Sequence, residues 1–352
     1  MDDAWVKRIE IPLQDIVKYG QIVNGDVSKI DEQERTIQFK DPDTPEIHFD
    51  ILVSATGAVS RSPGDLPLGV TTTKEIATYF KDIAGAIQEA NSIVLVGGGA
   101  SSIEYAGEIR SKYPDKIIRI ISASDRLLIS SVAPLSDKFQ RSLMKSLDRN
   151  RIILITKERV EQPSPKDFAD QKYMKNAHVV TKGEQNLELD CDLLIWTASF
   201  WVDGRIYPDE WLNEVGELDI RDTFQLKHRN DIFAFGDVSS LAETKQAITL
   251  PEKLGYIVHN IMACANAIRN DEFQQTGAVP SLDKKLRHYK VVDKATFYLP
   301  VGAHDGVSQL KSGWFGPRVK GAAETSEFKG KDLYCNVFWK LLTDSDAPPL
   351  DL

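Results

Sequence analysis

Residues 93–109 read "IVLVGGGASSIEYAGEI", an apolar run that ends in three glycines and turns straight into a helical pattern. This stretch constrains the fold more than any other. An apolar strand meeting glycines and then a helix is the opening of a βαβ unit, in which a phosphate group faces the helix N-terminus. In the pattern G-x-G-x-x-G the first glycine allows the tight turn, the second lets the backbone approach a pyrophosphate, and the third lets helix and strand pack closely. Gly97 and Gly99 fill the first two positions, and Ser102 stands small but imperfect in the third. The flanking sequence completes the unit. "SIVLV", "KIIRIIS" and "RIILIT" read as strands, "ASSIEYAGEIRSKY" as a helix, and a further helix has Ser136 as its N-cap and Phe139, Leu143 and Leu147 on one face. This β-α-β-α-β order predicts a parallel sheet with helices on both faces.

Around that unit, "QIVNGDVSKID" and "ERTIQF" read as hairpin strands and "FDILVSATG" as a buried strand entering a glycine turn. Residues 74–90 form a helical pattern with Ile76, Phe80, Ile83 and Ile87 on one side. "AHVVTKG" and "LELDCDLLIW" read as an antiparallel insert. "DIFAFGDVSS" reads as a strand ending in Gly-Asp, and a long helix starts near Pro251 with Leu254, Ile257, Val258, Ile261, Ala265 and Ile268 as its buried stripe. Short strands and turns fill the last eighty or so residues.

Composition narrows the chemistry. A length of 352 residues favours two or three domains, and the net charge of −9 argues against a nucleic-acid partner. The cysteines, Cys191, Cys264 and Cys335, lie far apart with no C-x-x-C. That argues against a disulfide framework, a zinc cluster and a redox dithiol. No run reaches the roughly 18 apolar residues that span a bilayer, and the N-terminus carries no secretory core, so a cytosol-facing location is the default expectation. An acid at the end of the second strand would hold the ribose 2′-OH of NAD. Ser122, Ala123 and Ser124 stand there instead, so NADPH is expected to be accepted alongside NADH. Arg126 either meets the 2′-phosphate or stands as a solvated loop residue.

Three further stretches converge on a family. "ILVSATG" and "DLLIWTAS" resemble the paired A-T-G turns of two-dinucleotide flavoproteins, and "DIFAFGD" resembles their late FAD signature. "GGGASSIEYAGEI" is similar to the glycine motif of the apoptosis-inducing-factor-like group, and "VGAHDGVSQL", "FKGKDLY" and "NVFWK" resemble the end of its AMID-type, ferroptosis-suppressor-like members. The resemblance implies an α/β fold with two dinucleotide-binding, Rossmann-like domains, the FAD domain split and truncated at its N-terminus, plus a small α+β C-terminal domain. The implied boundaries are 1–72 and 201–272 for the FAD domain, 73–200 for the NAD(P) domain and 273–352 for the C-terminal domain. The implied cofactors are FAD and NAD(P)H, and the implied acceptor is a quinone-like small molecule. Glu104 and Lys329 are the implied catalytic positions, Glu104 in the nicotinamide region and Lys329 near the flavin edge. Val27, Ala55, Thr56, Gly57, Ala198, Gly236, Asp237 and Pro251 are implied cofactor contacts, joining Gly97, Gly99, Ser102 and Arg126. The Asp237 carboxylate would accept hydrogen bonds from the flavin's ribityl or phosphate end.

The family's first G-x-G-x-x-G unit, roughly 30 residues or more, does not precede "DAWVKRIEIPLQDIV". Either a fragment or a degenerate member of the family is implied; the intact remaining FAD motifs favour a fragment, with weak or absent retention of FAD expected. Without a C-x-x-C, electrons are expected to leave directly from the flavin. Two other readings stay open: an NAD(P)-binding protein without redox activity, and a reductase of a protein electron carrier. Peripheral association with a membrane or a mitochondrial location also stays open.

Overall fold

A computed structural model describes residues 11–67, 69–129, 135–168, 172–198, 200–243, 245, 250–291, 297–310, 318–321, 339–340 and 342–343. Lys329, Cys335 and the stretches "FKGKDLY" and "NVFWK" lie outside them. The chain divides into two compact units: residues 1–22, 60–199 and 294–352 in unit 1, and residues 23–59 and 200–293 in unit 2.

Unit 1 is built on one six-stranded sheet. In chain order its elements are α1 (Thr73–Glu89), β5 (Ser92–Val96), α2 (Ala100–Lys112), β6 (Ile117–Ile121), α3 (Asp137–Arg149), β7 (Ile152–Ile155), β8 (Glu158–Gln162), β9 (Tyr173–Gly183) and β10 (Glu188–Trp196). Strand numbering starts in unit 2, which supplies β1 to β4. The order across the sheet is β7-β6-β5-β10-β9-β8. Strands β7, β6, β5 and β10 run parallel, and β9 and β8 extend the sheet antiparallel. The paired segments of β5 and β10 are buried on both faces, which is why they read as continuous Ile/Leu/Val runs rather than as alternating patterns, while β6 and β7 leave Ile117 and Ile153 exposed.

The two faces are covered differently. Ile93, Leu95, Ile118, Ile120, Leu193 and Ile195 pack with Ala86 of α1, Ile103 and Ala106 of α2, and Phe139 and Leu143 of α3. Val94, Val96, Ile121, Leu194 and Trp196 pack instead with Val160, Phe168, Val179 and Cys191. The expectation of helices on both faces is therefore corrected. The three helices share one face, and the antiparallel extension with Phe168 closes the other.

Local signals fix the helix ends. Thr72 caps α1 through a reciprocal capping box with Glu75, whose carboxylate accepts the Thr72 N–H at 3.0 Å. Backbone donation from Thr71 and Thr72 holds the Glu75 carboxyl below its ordinary range. Ser136 caps α3 by accepting from Phe139 N at 3.2 Å. The antiparallel strands β12 (Phe297–Pro300), β13 (Gly306–Leu310) and β14 (Arg318–Lys320) also belong to unit 1. Leu299, Val301 and Val307 enter the helix-covered core. Asp305 accepts from Arg149 at 2.9 Å and from Asn150 Nδ2 at 2.9 Å.

Unit 2 holds an antiparallel sheet of β1 (Val27–Asp31), β2 (Thr36–Phe39) and β3 (Ile47–His48), and a parallel pair of β4 (Leu52–Ser54) with β11 (Ile232–Ala234). Its core gathers Tyr207, Trp211, Phe224, Phe233, Ile257 and Cys264. The long helix α4 (Leu250–Arg269) buries Lys253, Ile257, Asn260, Ala263, Cys264 and Ala267. The expected stripe holds at Ile257, is half-buried at Ile261, Ala265 and Ile268, and fails at Leu254 and Val258, which are 39% and 55% exposed. The inward face carries polar groups that find partners. Asn260 Nδ2 donates to Thr223 O at 3.0 Å and Arg287 O at 2.9 Å, its Oδ1 accepts from Arg287 N at 2.8 Å, and Lys253 pairs with Glu243. Among the described residues no helix is long and apolar enough to cross a membrane, and no group of three or more His, Cys, Asp or Glu could hold a metal ion.

Candidate functional site: a nucleotide cradle and two hydroxyl-held turns

The glycine turn of unit 1 is closed by its neighbours. Gly97 sits at φ +130°, a conformation that L side chains rarely adopt. Its N–H donates to Ile121 O at 2.8 Å. A Cβ on Gly97 would lie 2.9 Å from Thr197 Oγ1 and 3.0 Å from Ala198 N. Gly98 is also required by space, because a Cβ there would lie 2.5 Å from Ser122 Oγ. Sequence reasoning missed Gly98; the signal available was only the unbroken glycine triplet. Gly99 differs. It is the N-cap of α2, makes no side-chain cap bond, and has nothing within 4 Å of its Cβ position. Gly99 therefore puts no side chain over the start of α2, whose first N–H groups have no partner within the helix. A pyrophosphate fits such a cradle through backbone donors and the positive helix end.

Ser102 is fully buried, and its hydroxyl bonds that of Thr197. Thr197 Oγ1 in turn donates to Val96 O at 2.9 Å, and Thr197 N to the same oxygen at 3.0 Å. The serine in the third motif position thus ties α2 to the strand ends with a hydrogen bond. Gly97, Ser102 and Ala198 are brought together as expected, with Thr197 as the link that sequence reasoning did not single out. Glu104 is half-buried two residues further along α2, about half a turn on from Ser102.

The end of β6 corrects one expectation. Ser122 is 2% exposed and packs against Gly98, so a larger side chain there would collide with the glycine turn. Ala123 is the exposed residue. The loop that follows closes against the cradle through Leu128 N donating to Gly98 O at 2.8 Å. Arg126 is exposed and pairs with Asp137 at 2.8 Å.

In unit 2 the parallel strands β4 and β11 end in the two turns that the sequence singled out. Thr56 and Gly57 follow β4, and Gly236 and Asp237 follow β11. Ligands of parallel sheets bind outside these carboxyl ends. Gly57 at φ +70° and Gly236 at φ +76° both have open space at the Cβ position. Tyr207, 6% exposed, holds the first turn: its hydroxyl bonds Ser54 Oγ at 2.5 Å and Thr56 Oγ1 at 2.8 Å. Burial pushes the Tyr207 hydroxyl above its ordinary pKa. Asp237 is half-buried, with its carbonyl accepting from Lys245 Nζ at 3.1 Å. Pro251 is the second residue of α4, where a missing N–H costs no helical bond. Val27 opens β1 and so belongs to the antiparallel sheet rather than to the parallel pair. The open glycine backbone and the carboxylate at two strand ends fit the ribityl and phosphate side of FAD.

Both described cysteines are buried. Burial pushes the Cys191 thiol up to about 11 and the Cys264 thiol up to about 12, so each stays protonated at neutral pH.

A nucleotide cradle on a four-stranded parallel sheet with an antiparallel extension, carried with a second unit whose parallel strands end in A-T-G and G-D turns, defines a two-dinucleotide flavoprotein. The chain belongs to the pyridine nucleotide-disulphide oxidoreductase family, whose model matches residues 13–270. Its cofactors are accordingly FAD and NAD(P)H, and its relatives are apoptosis-inducing-factor-like. It is 27% identical over 319 residues to apoptosis-inducing factor homolog A of Dictyostelium discoideum, covering 87% of this chain and 73% of that protein. It is 26% identical over 324 residues to ferroptosis suppressor protein 1 of Taeniopygia guttata, covering 90% and 78%. The sulfide:quinone oxidoreductase of Aquifex aeolicus shares the fold at a TM-score of 0.62 and 15% identity, covering 93% of this chain and 76% of that one.

Proposed function

We propose that this chain oxidises NAD(P)H and delivers the electrons to a quinone-type small molecule without a thiol relay. NAD(P)H gives up two electrons and one proton, solvent supplies a second proton, and the quinone leaves as hydroquinone. When bound, FAD supplies the hydride acceptance and the electron release.

The chain's own residues hold and orient. The N–H groups at the start of α2 bind the pyrophosphate, with Gly97 and Gly98 keeping the turn tight and Gly99 leaving room for it. Glu104 orients the nicotinamide end. Tyr207 fixes Thr56, and so the A-T-G turn, while the Asp237 carboxylate accepts hydrogen bonds from the flavin's ribityl or phosphate end. The N-terminal turn of α4 offers its positive end to charge on a reduced ring.

The burial of Cys191 and Cys264 carries the direct route. Neither thiol ionises at neutral pH, and no C-x-x-C exists in the chain. The resemblance of the chain's motifs to ferroptosis-suppressor-like members implies this acceptor class, and a sulfide:quinone oxidoreductase shares the fold.

The test is a visible spectrum of the purified chain after incubation with excess FAD, since weak retention is expected, followed by NAD(P)H oxidation with a small soluble quinone. Flavin absorbance at roughly 450 nm and quinone-dependent turnover are expected to appear together. NADH binding with no flavin and no turnover would replace this reading with a nucleotide-binding protein without redox activity. Turnover only with a protein carrier would replace the quinone.

A further inference from the structure

We infer that Lys245 is a positioning residue for the flavin: its ammonium clamps the turn of Gly236 and Asp237 from behind and so fixes the direction of the Asp237 carboxylate. This rests on the FAD reading above and adds a residue to which that reading gives no role.

The turn needs a hold from outside the strand. Gly236 lies two residues past β11, at φ +76°, with nothing within 4 Å of its Cβ position. The carbonyls on either side of Asp237 are held by neighbouring chain. Ser239 N and Ser239 Oγ donate to Gly236 O at 3.1 and 2.8 Å, and Leu218 N donates to Val238 O at 2.9 Å. The Asp237 carbonyl between them accepts from a side chain instead, Lys245 Nζ at 3.1 Å. Rotating the peptide that carries this carbonyl would also swing the Asp237 side chain, because the flanking carbonyls are fixed. The donor to Asp237 O therefore governs where the carboxylate points.

Lys245 is itself held. Its Nζ donates to Glu217 Oε1 at 2.7 Å. Glu217 is bonded to Asn213 through side chain and backbone together: Asn213 Nδ2 donates to Glu217 Oε2 at 3.1 Å, Glu217 N to Asn213 Oδ1 at 2.9 Å, and Asn213 N to Glu217 O at 2.8 Å. The clamp thus runs from a closed turn at 213–217, through one ammonium, to the Asp237 backbone. The Lys245 and Glu217 side chains are 14% and 25% exposed, so solvent screens the pair little. An ammonium carries three donors on one atom, enough for an acid and a carbonyl on different segments, and its bond to the carbonyl is strengthened by charge. Glu217 balances that charge, so Lys245 acts on the flavin through the placement of Asp237.

The experiment is FAD titration of the whole chain, read by flavin fluorescence, in a cycle of wild type, Lys245→Met, Asp237→Ala and the double variant. Methionine keeps much of the stem and removes the donors. Lys245→Met is expected to weaken FAD binding at least about tenfold. In the Asp237→Ala background the same change is expected to cost less than about twofold, because no carboxylate is left to orient. NADH affinity, set by unit 1, is expected to stay unchanged, and thermal melts check folding. Lys245→Met leaves Glu217 without its cation, so Lys245→Met/Glu217→Gln, which removes that orphaned charge, is titrated as well and is expected to lose FAD to the same extent as Lys245→Met. Equal losses in both Asp237 backgrounds, or full FAD affinity in Lys245→Met or in Lys245→Met/Glu217→Gln, would overturn the inference while leaving the FAD site in place. A wild-type chain that binds no FAD would overturn the FAD reading and this inference together.

Discussion

Gly98→Ala is the sharpest test of the cradle, because its cost comes from space alone. Gly98 has no positive φ, so the backbone tolerates alanine. The added Cβ would lie 2.5 Å from Ser122 Oγ, 3.1 Å from Ser122 Cβ and 3.2 Å from Leu127 Cδ2. Overfilling a packed site costs about 1–3 kcal/mol. The lost freedom of the unfolded chain returns about 0.4–1 kcal/mol. A net destabilisation of roughly 1–2 kcal/mol follows, which is a fall of a few degrees in melting temperature for a unit of this size. NADH affinity should fall with it, because the turn that positions the α2 amides must shift; each 1.4 kcal/mol is about tenfold. Ser122→Ala removes the atom in closest conflict. In the double variant at least about 0.5 kcal/mol should return beyond additivity. Melting curves and NADH titration of the four proteins measure the cycle. Strict additivity, or a Gly98→Ala protein that melts and binds like the wild type, would refute the packing described for the turn.

Two helical glycines should respond with opposite signs. Gly85→Ala, with nothing within 4 Å, should stabilise by about 0.5–1 kcal/mol, whereas Gly107→Ala, whose Cβ would lie 2.2 Å from Gly302 N, should destabilise by about 1–3 kcal/mol in thermal melts. Ala123→Glu should weaken NADPH binding selectively, while Ser122→Glu should fail by unfolding the β6 end, as read by titration beside a melt. Quinone turnover in a protein replete with FAD should survive replacement of Cys191, Cys264 and Cys335 by Ala; its loss with FAD still bound would restore a thiol relay. Donation from Ser92 N and Asn91 N, at 2.9 and 2.7 Å, holds the Asp192 carboxyl below its ordinary range. Its folded value is depressed, so its contribution is present above the unfolded value of about 3.9 and fades as pH falls through the folded one. The stability gap between wild type and Asp192→Asn should therefore be full at pH 6–7 and close below about pH 4 in melts across that range.

The inner parallel strands were legible because both of their faces are buried, leaving runs such as "SIVLV" bounded by clear turns, and "IIRII" was legible although its first isoleucine is exposed. The cap at Ser136 was legible because a serine stands just before an apolar run of helical period, whereas Thr72 and its capping box with Glu75 were not singled out. What stayed hidden depends on partners distant in sequence. The buried face of α4 includes Lys253 and Asn260, whose partners Glu243, Thr223 and Arg287 supply the hydrogen bonds and charge that make burial tolerable. Hydrophobic periodicity gives those positions to solvent and turns Leu254 and Val258 inward instead. The sharing of one sheet face by α1, α2 and α3 was hidden too, because strand and helix order does not say which side an antiparallel extension will close. Ser122 looked available to a ribose because the sequence does not show that Gly98 lies over it.

The same dependence explains how the site is held. Each unit carries one copy of the A-T-G-type turn, and in each copy a threonine hydroxyl makes the anchoring bond. In unit 1, Thr197 bonds Val96 O and Ser102. In unit 2, Thr56 bonds Tyr207, which also holds Ser54. A turn at the carboxyl end of a parallel strand has left the sheet's hydrogen-bond ladder, and its backbone must stay open toward a ligand. Side-chain hydroxyls can fix it from behind without occupying that open side. The partners lie 95 residues away from Thr197 and 151 from Thr56 along the chain. The motif letters therefore mark the turns, while their rigidity comes from Ser102, which the third motif position already sets against the strand, and from Tyr207, a residue that no local pattern would select for that task.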